Sequence, residues 1–196
     1  MEESMLSRAD LWSLEDYSVH RASFREAVLA HKKNRRVLIG QHVQLIFEDQ
    51  TTIKYQIQEM LRIEKIFESS EIQDELDVYN ALVPNGANLK ATMMIEYSDV
   101  AERIVALTEL IGVEKSIYFQ VGNHERAFPI CNEDLERETD VKTSAVHFMR
   151  FEFTQEMIHD FIAGSAIKVG STHPNYDYEM TLDTETQKVL SGAFAS

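Results

Sequence analysis

Several ionisable residues fall on faces of the chain that are otherwise apolar. At about 100° per residue, Ile53, Ile57, Met60, Leu61 and Phe67 share one helical face, and Glu64 lies near its middle. Glu75 falls between Tyr79 and Leu82, on a face that also carries Ile72 and Leu76. Arg21 interrupts a stripe of Leu14, Tyr17, Phe24 and Val28. In the segment 144–153, Arg150 and Glu152 share a strand face with Val146 and Phe148, while His147 lies opposite with Met149 and Phe151.

A buried charge is costly unless it is paired and hydrogen-bonded, so these side chains are expected to find one another. Two readings follow. In one, an Arg–Glu network locks helices against a sheet, or the long side chains reach the edge of the core. In the other, the same groups line a polar pocket. There Glu64 and Glu75 ligate a hard cation, with His147 nearby, or act as acid and base with raised pKa values. Both readings expect Glu64 and Glu75 to be largely buried and at least one to meet an arginine, with Arg21 and Arg150 as the candidates.

Motifs assign no catalytic residue, metal site or cofactor. There is no G-x-G-x-x-G, P-loop, G-x-S-x-G elbow, H-E-x-x-H or EF-hand loop. Glu156-x-x-His159 has the spacing of a di-iron helix, but that chemistry needs two such motifs. Here the apolar side is Met157, Ile158, Phe161 and Ile162, so Glu156 and His159 read as solvated.

Composition excludes other classes. The net charge is −14, and the one basic cluster, Lys32, Lys33, Arg35 and Arg36, falls where a helix is expected to end. No nucleic-acid or anionic-membrane partner is therefore expected. The single cysteine, Cys131, rules out an internal disulfide framework and any multi-cysteine cluster. No segment approaches the roughly 20 apolar residues of a membrane span, and Met1–Ser7 lacks the apolar core of a signal peptide. A cytoplasmic protein is expected.

The elements that must position these groups can be read along the chain. Ser13 caps a helix over about 14–34, residues 37–48 are extended, Thr51 or Thr52 caps a helix to about 67, and Ser70 caps one to about 82. Pro84-Asn85-Gly86 is a turn. Strands follow at 91–97, 116–121, 144–153 and 166–171. Helices at about 99–111 and 154–163 lie between them, the first with Val100, Ile104, Leu107 and Ile111 as its stripe. A half-exposed strand at 176–182 and a short helix close the chain. The expectation is one α+β domain over 1–196, helical to about 90 and sheet-rich beyond. Its core is a mostly antiparallel, ferredoxin-like β-α-β-β-α-β sheet with both helices on one face. Segment 144–153, apolar on both sides, is placed at its centre.

The segments Ser13-Leu-Glu-Asp-Tyr17, His31-Lys-Lys-Asn-Arg-Arg36, Tyr55 to Glu64, Glu75-Leu-Asp-Val-Tyr-Asn80, Lys142 to Glu152 and His173-Pro-Asn-Tyr176 resemble a bacterial family. That family is domain of unknown function 3501, and the resemblance spans nearly the whole chain. It carries over no activity, cofactor or catalytic residue. Genes of the family tend to stand beside rubrerythrin-like and iron–sulfur oxidoreductase-like genes, which implies a redox or peroxide-defence setting by association. The expected function is a non-enzymatic accessory or interaction protein with a protein partner in such a system. Whether it forms a homo-oligomer is left open. The alternative is a small enzyme or metal-dependent sensor using the Glu64/Glu75 pocket.

Overall fold

The computed structural model describes residues 5–133, 137, 139 and 141–194. Helix α1 (Leu14–Lys32) starts where the Ser13 hydroxyl accepts the Asp16 N–H, and it runs into a 3-10 turn at Lys33–Arg35. Strands β1 (Arg36–Ile39) and β2 (Val43–Phe47) form a hairpin. Helix α2 (Gln50–Glu64) is capped by Asp49, not by Thr51 or Thr52. The Asp49 carboxylate accepts the Thr52 N–H, and the Thr52 hydroxyl accepts the Asp49 N–H. Helix α3 is Ser69–Asn80.

The second half holds β3 (Asn88–Ile95), α4 (Val100–Glu109), the single turn α5 (Val113–Ser116) and β4 (Ile117–Val121). There follow β5 (Ile130–Cys131), β6 (Val146–Glu152), α6 (Gln155–Ile162), β7 (Ile167–His173), β8 (Tyr176–Thr181) and α7 (Thr184–Ser191). Among the described residues no helix is long and apolar enough to cross a membrane.

The α+β class and the antiparallel pairing are as the sequence predicts, but the ferredoxin-like sheet does not form. The strands divide between a five-stranded sheet, β1-β2-β3-β6-β5, and a three-stranded sheet, β4-β7-β8. The reason is burial. Ile117, Phe119 and Val121 of β4, with Ile167 and Val169 of β7, turn onto the inner side chains of the first sheet, so these strands stack on it instead of extending it. Phe119 contacts Phe47 of β2 and Phe151 of β6, with ring centroids 5.7 and 4.9 Å away.

Segment 146–152 does lie inside its sheet, between β3 and the two-residue β5. Only one of its faces is core, however. Val146 and Phe148, on the other, are half-buried. The α4 stripe is also displaced. Ala106 and Leu110 are buried, whereas Val100 and Ile104 are 57% and 63% exposed. The packed face follows 103, 106, 107 and 110, about 100° round from the expected one. A second small core joins α2 to α3 through Ile53, Ile57, Leu61, Leu76 and Val83.

One phenol ties the hairpin to the second sheet. The Tyr176 hydroxyl donates to the Ile39 carbonyl at 2.6 Å and accepts the N–H groups of Gln41, His42 and Val43 at 3.1, 2.8 and 3.0 Å. Gly40 passes close beneath it at φ +65°, where an added Cβ would stand 2.8 Å from that hydroxyl and 2.8 Å from the Tyr178 ring. Tyr176→Phe is therefore expected to cost about 1–3 kcal/mol, since it strands buried backbone groups. Gly40→Ala should cost at least as much. Urea unfolding of both variants measures this, and unchanged midpoints would remove the phenol from its structural role.

Candidate functional site

Strand alternation sends Leu89, Ala91 and Met93 of β3 into the core and leaves Asn88, Lys90 and Thr92 on the outer face. On β6 the outer residues are Phe148, Arg150 and Glu152. This outer face is not sealed. The last turn of α3 and the segment 81–85 stand over it and enclose a groove of about 650 Å³. Val78, Tyr79 and Leu82 wall the groove, Ile130 and Phe148 line it, and Asn85, Asn88, Lys90, Glu133 and Arg150 supply its polar groups. A second cavity of about 870 Å³ shares Ala81, Asn85 and Lys90 and reaches the N-terminal residues Met5–Ala9.

The antiparallel register puts Lys90 directly opposite Arg150 and Asn88 opposite Glu152. The Arg150 guanidinium forks onto Glu133, Nε to Oε2 at 2.8 Å and Nη2 to Oε1 at 2.7 Å. Its Nη1 donates to Glu152, which also accepts the Asn88 amide at 3.0 Å. Lys90 donates to the Ala81 carbonyl at 2.5 Å and makes no ion pair among the described residues. Burial, and then the facing Arg150, push the Lys90 ammonium below its ordinary pKa, with Glu133 and Glu152 opposing. The hydrogen bond from Arg150 holds the Glu133 carboxyl below its usual range.

Of the residues singled out in the sequence, the structure brings Arg150 and Glu152 together at this groove. The others lie elsewhere. Arg21 pairs with Glu59 through two hydrogen bonds of 2.7 and 2.9 Å, and the buried Tyr17 hydroxyl donates to the same carboxylate at 2.8 Å. These bonds, the Arg21 one foremost, push the Glu59 carboxyl down to about 2. His147 is fully buried, with Nδ1 3.0 Å from the Asn132 amide and Nε2 2.9 Å from the Thr143 hydroxyl. A hydroxyl, an imidazole and an amide thus stand in series, but Thr143 and His147 are sealed in the core and line neither cavity.

The expectation for Glu64 and Glu75 is corrected. Glu64 is exposed and Glu75 only half-buried, and neither meets an arginine among the described residues. Its angle about the helix axis puts Glu64 in line with Ile53 and Ile57. Packing on that face ends at Leu61, however, and the helix stops at Glu64, before a left-handed Lys65. The two carboxylates are instead neighbours of like sign. Burial, then Glu64, raises the Glu75 pKa. Among the described residues no group of three or more His, Cys, Asp or Glu side chains is gathered to hold a metal.

A family profile described as "Protein of unknown function (DUF3501)" matches residues 5–194. The chain belongs to the DUF3501 family. A crystal structure of a novel protein of unknown function from Burkholderia pseudomallei K96243 is similar to it over 97% of this chain and 99% of that one. The two are 46% identical, with a TM-score of 0.92. No curated protein matches the chain.

Several polar groups were not singled out from sequence. Lys90 falls one residue before the expected start of its strand, so its phase went unread. Glu48 is buried and accepts hydrogen bonds from Thr52, Gln56 and Thr92, and Arg35 is buried against Asp49 at 2.9 Å. Glu114 is fully buried, with neither carboxylate oxygen hydrogen-bonded and Lys115 Nζ at 3.6 Å. The Cys131 thiol donates to the Glu114 carbonyl at 3.4 Å. Burial, then the Glu114 charge, pushes that thiol up to about 12.

Two outcomes follow. Glu59 is held below its ordinary value of 4.5, so its pairing stabilises the fold above that pH and is lost as pH falls towards about 2. Glu59→Gln should lower the melting temperature at pH 7 and flatten its fall across that acid window. At the groove, Arg150→Met removes the facing cation and frees two carboxylates, so the Lys90 pKa should rise. Glu133→Gln should lower it. NMR titration of the lysine ε-methylene reports both, and a Lys90 midpoint indifferent to Arg150 would refute the coupling.

Proposed function

We propose that this protein is a non-enzymatic accessory protein whose working surface is the groove over β3 and β6, and that its occupant is a small amphipathic molecule. The observation that carries this reading is the groove itself: a cavity of about 650 Å³ with apolar walls and a few convergent polar groups. Small-molecule sites have that size and make-up, roughly 300–1,000 Å³ of mainly apolar lining. Exposed apolar side chains at its rim support the reading, Val78 at 66% and Ile130 at 45%.

Catalysis has less behind it. The Cys131 thiol stays protonated at neutral pH, and the Thr143–His147–Asn132 series is closed to substrate. A metal-dependent sensor built on Glu64 and Glu75 is disfavoured by the exposure of Glu64. The redox setting and the protein partner rest on the family resemblance alone, and the cytoplasmic setting on composition.

Nile red, a neutral probe whose fluorescence rises in apolar sites, tests the groove. Binding is expected to the unmodified protein and to be strongly weakened in Val78→Asp and Ile130→Asp. Both positions are exposed, so stability should change by no more than about 0.5 kcal/mol. Equal binding by all three proteins would place the probe elsewhere and defeat the proposal.

A further inference from the structure

Cations directly opposed across a strand pair repel, and Lys90 faces Arg150 in that way. The fold sets two carboxylates beside them, and Arg150 takes both. Lys90 is left with one hydrogen bond, to the neutral Ala81 carbonyl just past the end of α3. That bond caps the helix and accounts for one N–H. An ammonium has three, and the other two have no partner among the described residues. The Asn85 side-chain oxygen accepts the Ala87 N–H, which leaves its amide NH₂ as a further donor on the same groove. Of the other polar lining groups, Glu133 is held by Arg150 and Asn88 by Glu152, and the apolar lining comes from Val78, Leu82, Ile130 and Phe148.

We infer that the groove recognises a carboxylate carried on a short apolar chain, with Lys90 as the anion-binding residue and the carbons against Val78, Leu82, Ile130 and Phe148. This rests on the groove being a ligand site. The charge of the cluster selects a monoanion. Lys90 and Arg150 already balance Glu133 and Glu152, and the whole chain carries −14. A dianionic phosphate would load this neutral cluster with twice the charge of a carboxylate. The carboxylate seats on Lys90, the groove cation that makes no ion pair among the described residues, and it screens Lys90 from Arg150 as it does so.

Isothermal titration with octanoate, octan-1-ol and octylamine, on the full chain at pH 7, tests the inference. Octanoate is expected to bind about tenfold more tightly than octanol, and octylamine more weakly than either. In Lys90→Met the preference for octanoate should vanish while octanol binding is retained. Lys90→Gln keeps a donor for the Ala81 carbonyl and removes only the charge, so it serves if the methionine variant is unstable. Equal affinity for octanoate and octanol, or a preference that survives both variants, overturns the role of Lys90 and leaves the groove as an apolar site. Failure of all three ligands to bind overturns the groove reading with it.

Discussion

Where β1 turns into β2, the Tyr176 hydroxyl meets four backbone groups, the Ile39 carbonyl and the N–H groups of Gln41, His42 and Val43. Unpaired buried backbone groups are expensive, so this contact decides where the hairpin can sit. It fixes the end of β1 against the start of β8, and so fixes one sheet over the other. The aromatic contacts of Phe119 with Phe47 and Phe151 then fill the space between them. The close approach needs Gly40, because a side chain there would push the phenol off the turn.

Stacking the second sheet on one side of the first leaves the other side to the helices, and they do not cover it fully. α2 packs on α1 along one side, and on α3 through Ile57, Leu61 and Leu76. The end of α3 therefore overhangs β3 and β6 without closing on them, and the groove is what remains. Burial at its floor is partial, enough to depress the Lys90 ammonium yet leave it in contact with the cavity.

The helices were legible because their causes are local, although the caps of α2 and α3 are Asp49 and Glu68 and not Thr51 or Thr52 and Ser70. Ser13, Asp99 and Thr154 each accept an N–H from three residues ahead, and each can be read from adjacent residues. The alternation of β6 was also legible, and it places Arg150 and Glu152 on the face opposite His147. Pairing was not. The order of strands and helices is compatible with both a single ferredoxin-like sheet and two stacked ones, and only long-range burial chooses between them. Glu64 shows the matching limit for helices. Periodicity gives the angle of a side chain about the axis, but not whether a neighbouring element reaches that far along it.

The groove lies beyond local reading for the same reason. Arg150 alone suggests a buried ion pair, and Glu152 two residues on offers the partner. What gives the site its character is register. It places Lys90, sixty residues earlier in sequence, opposite Arg150, and brings Ile130 to the other flank of the same residue. A one-residue slip of β3 would send Lys90 into the core and Leu89 to the surface, so the apolar inner face that holds the sheets together also holds the cation in the groove. The electrostatics of the site are in this sense a by-product of packing. Leu89, Ala91 and Met93 must point inward, and Lys90 consequently faces Arg150 across the floor of the groove.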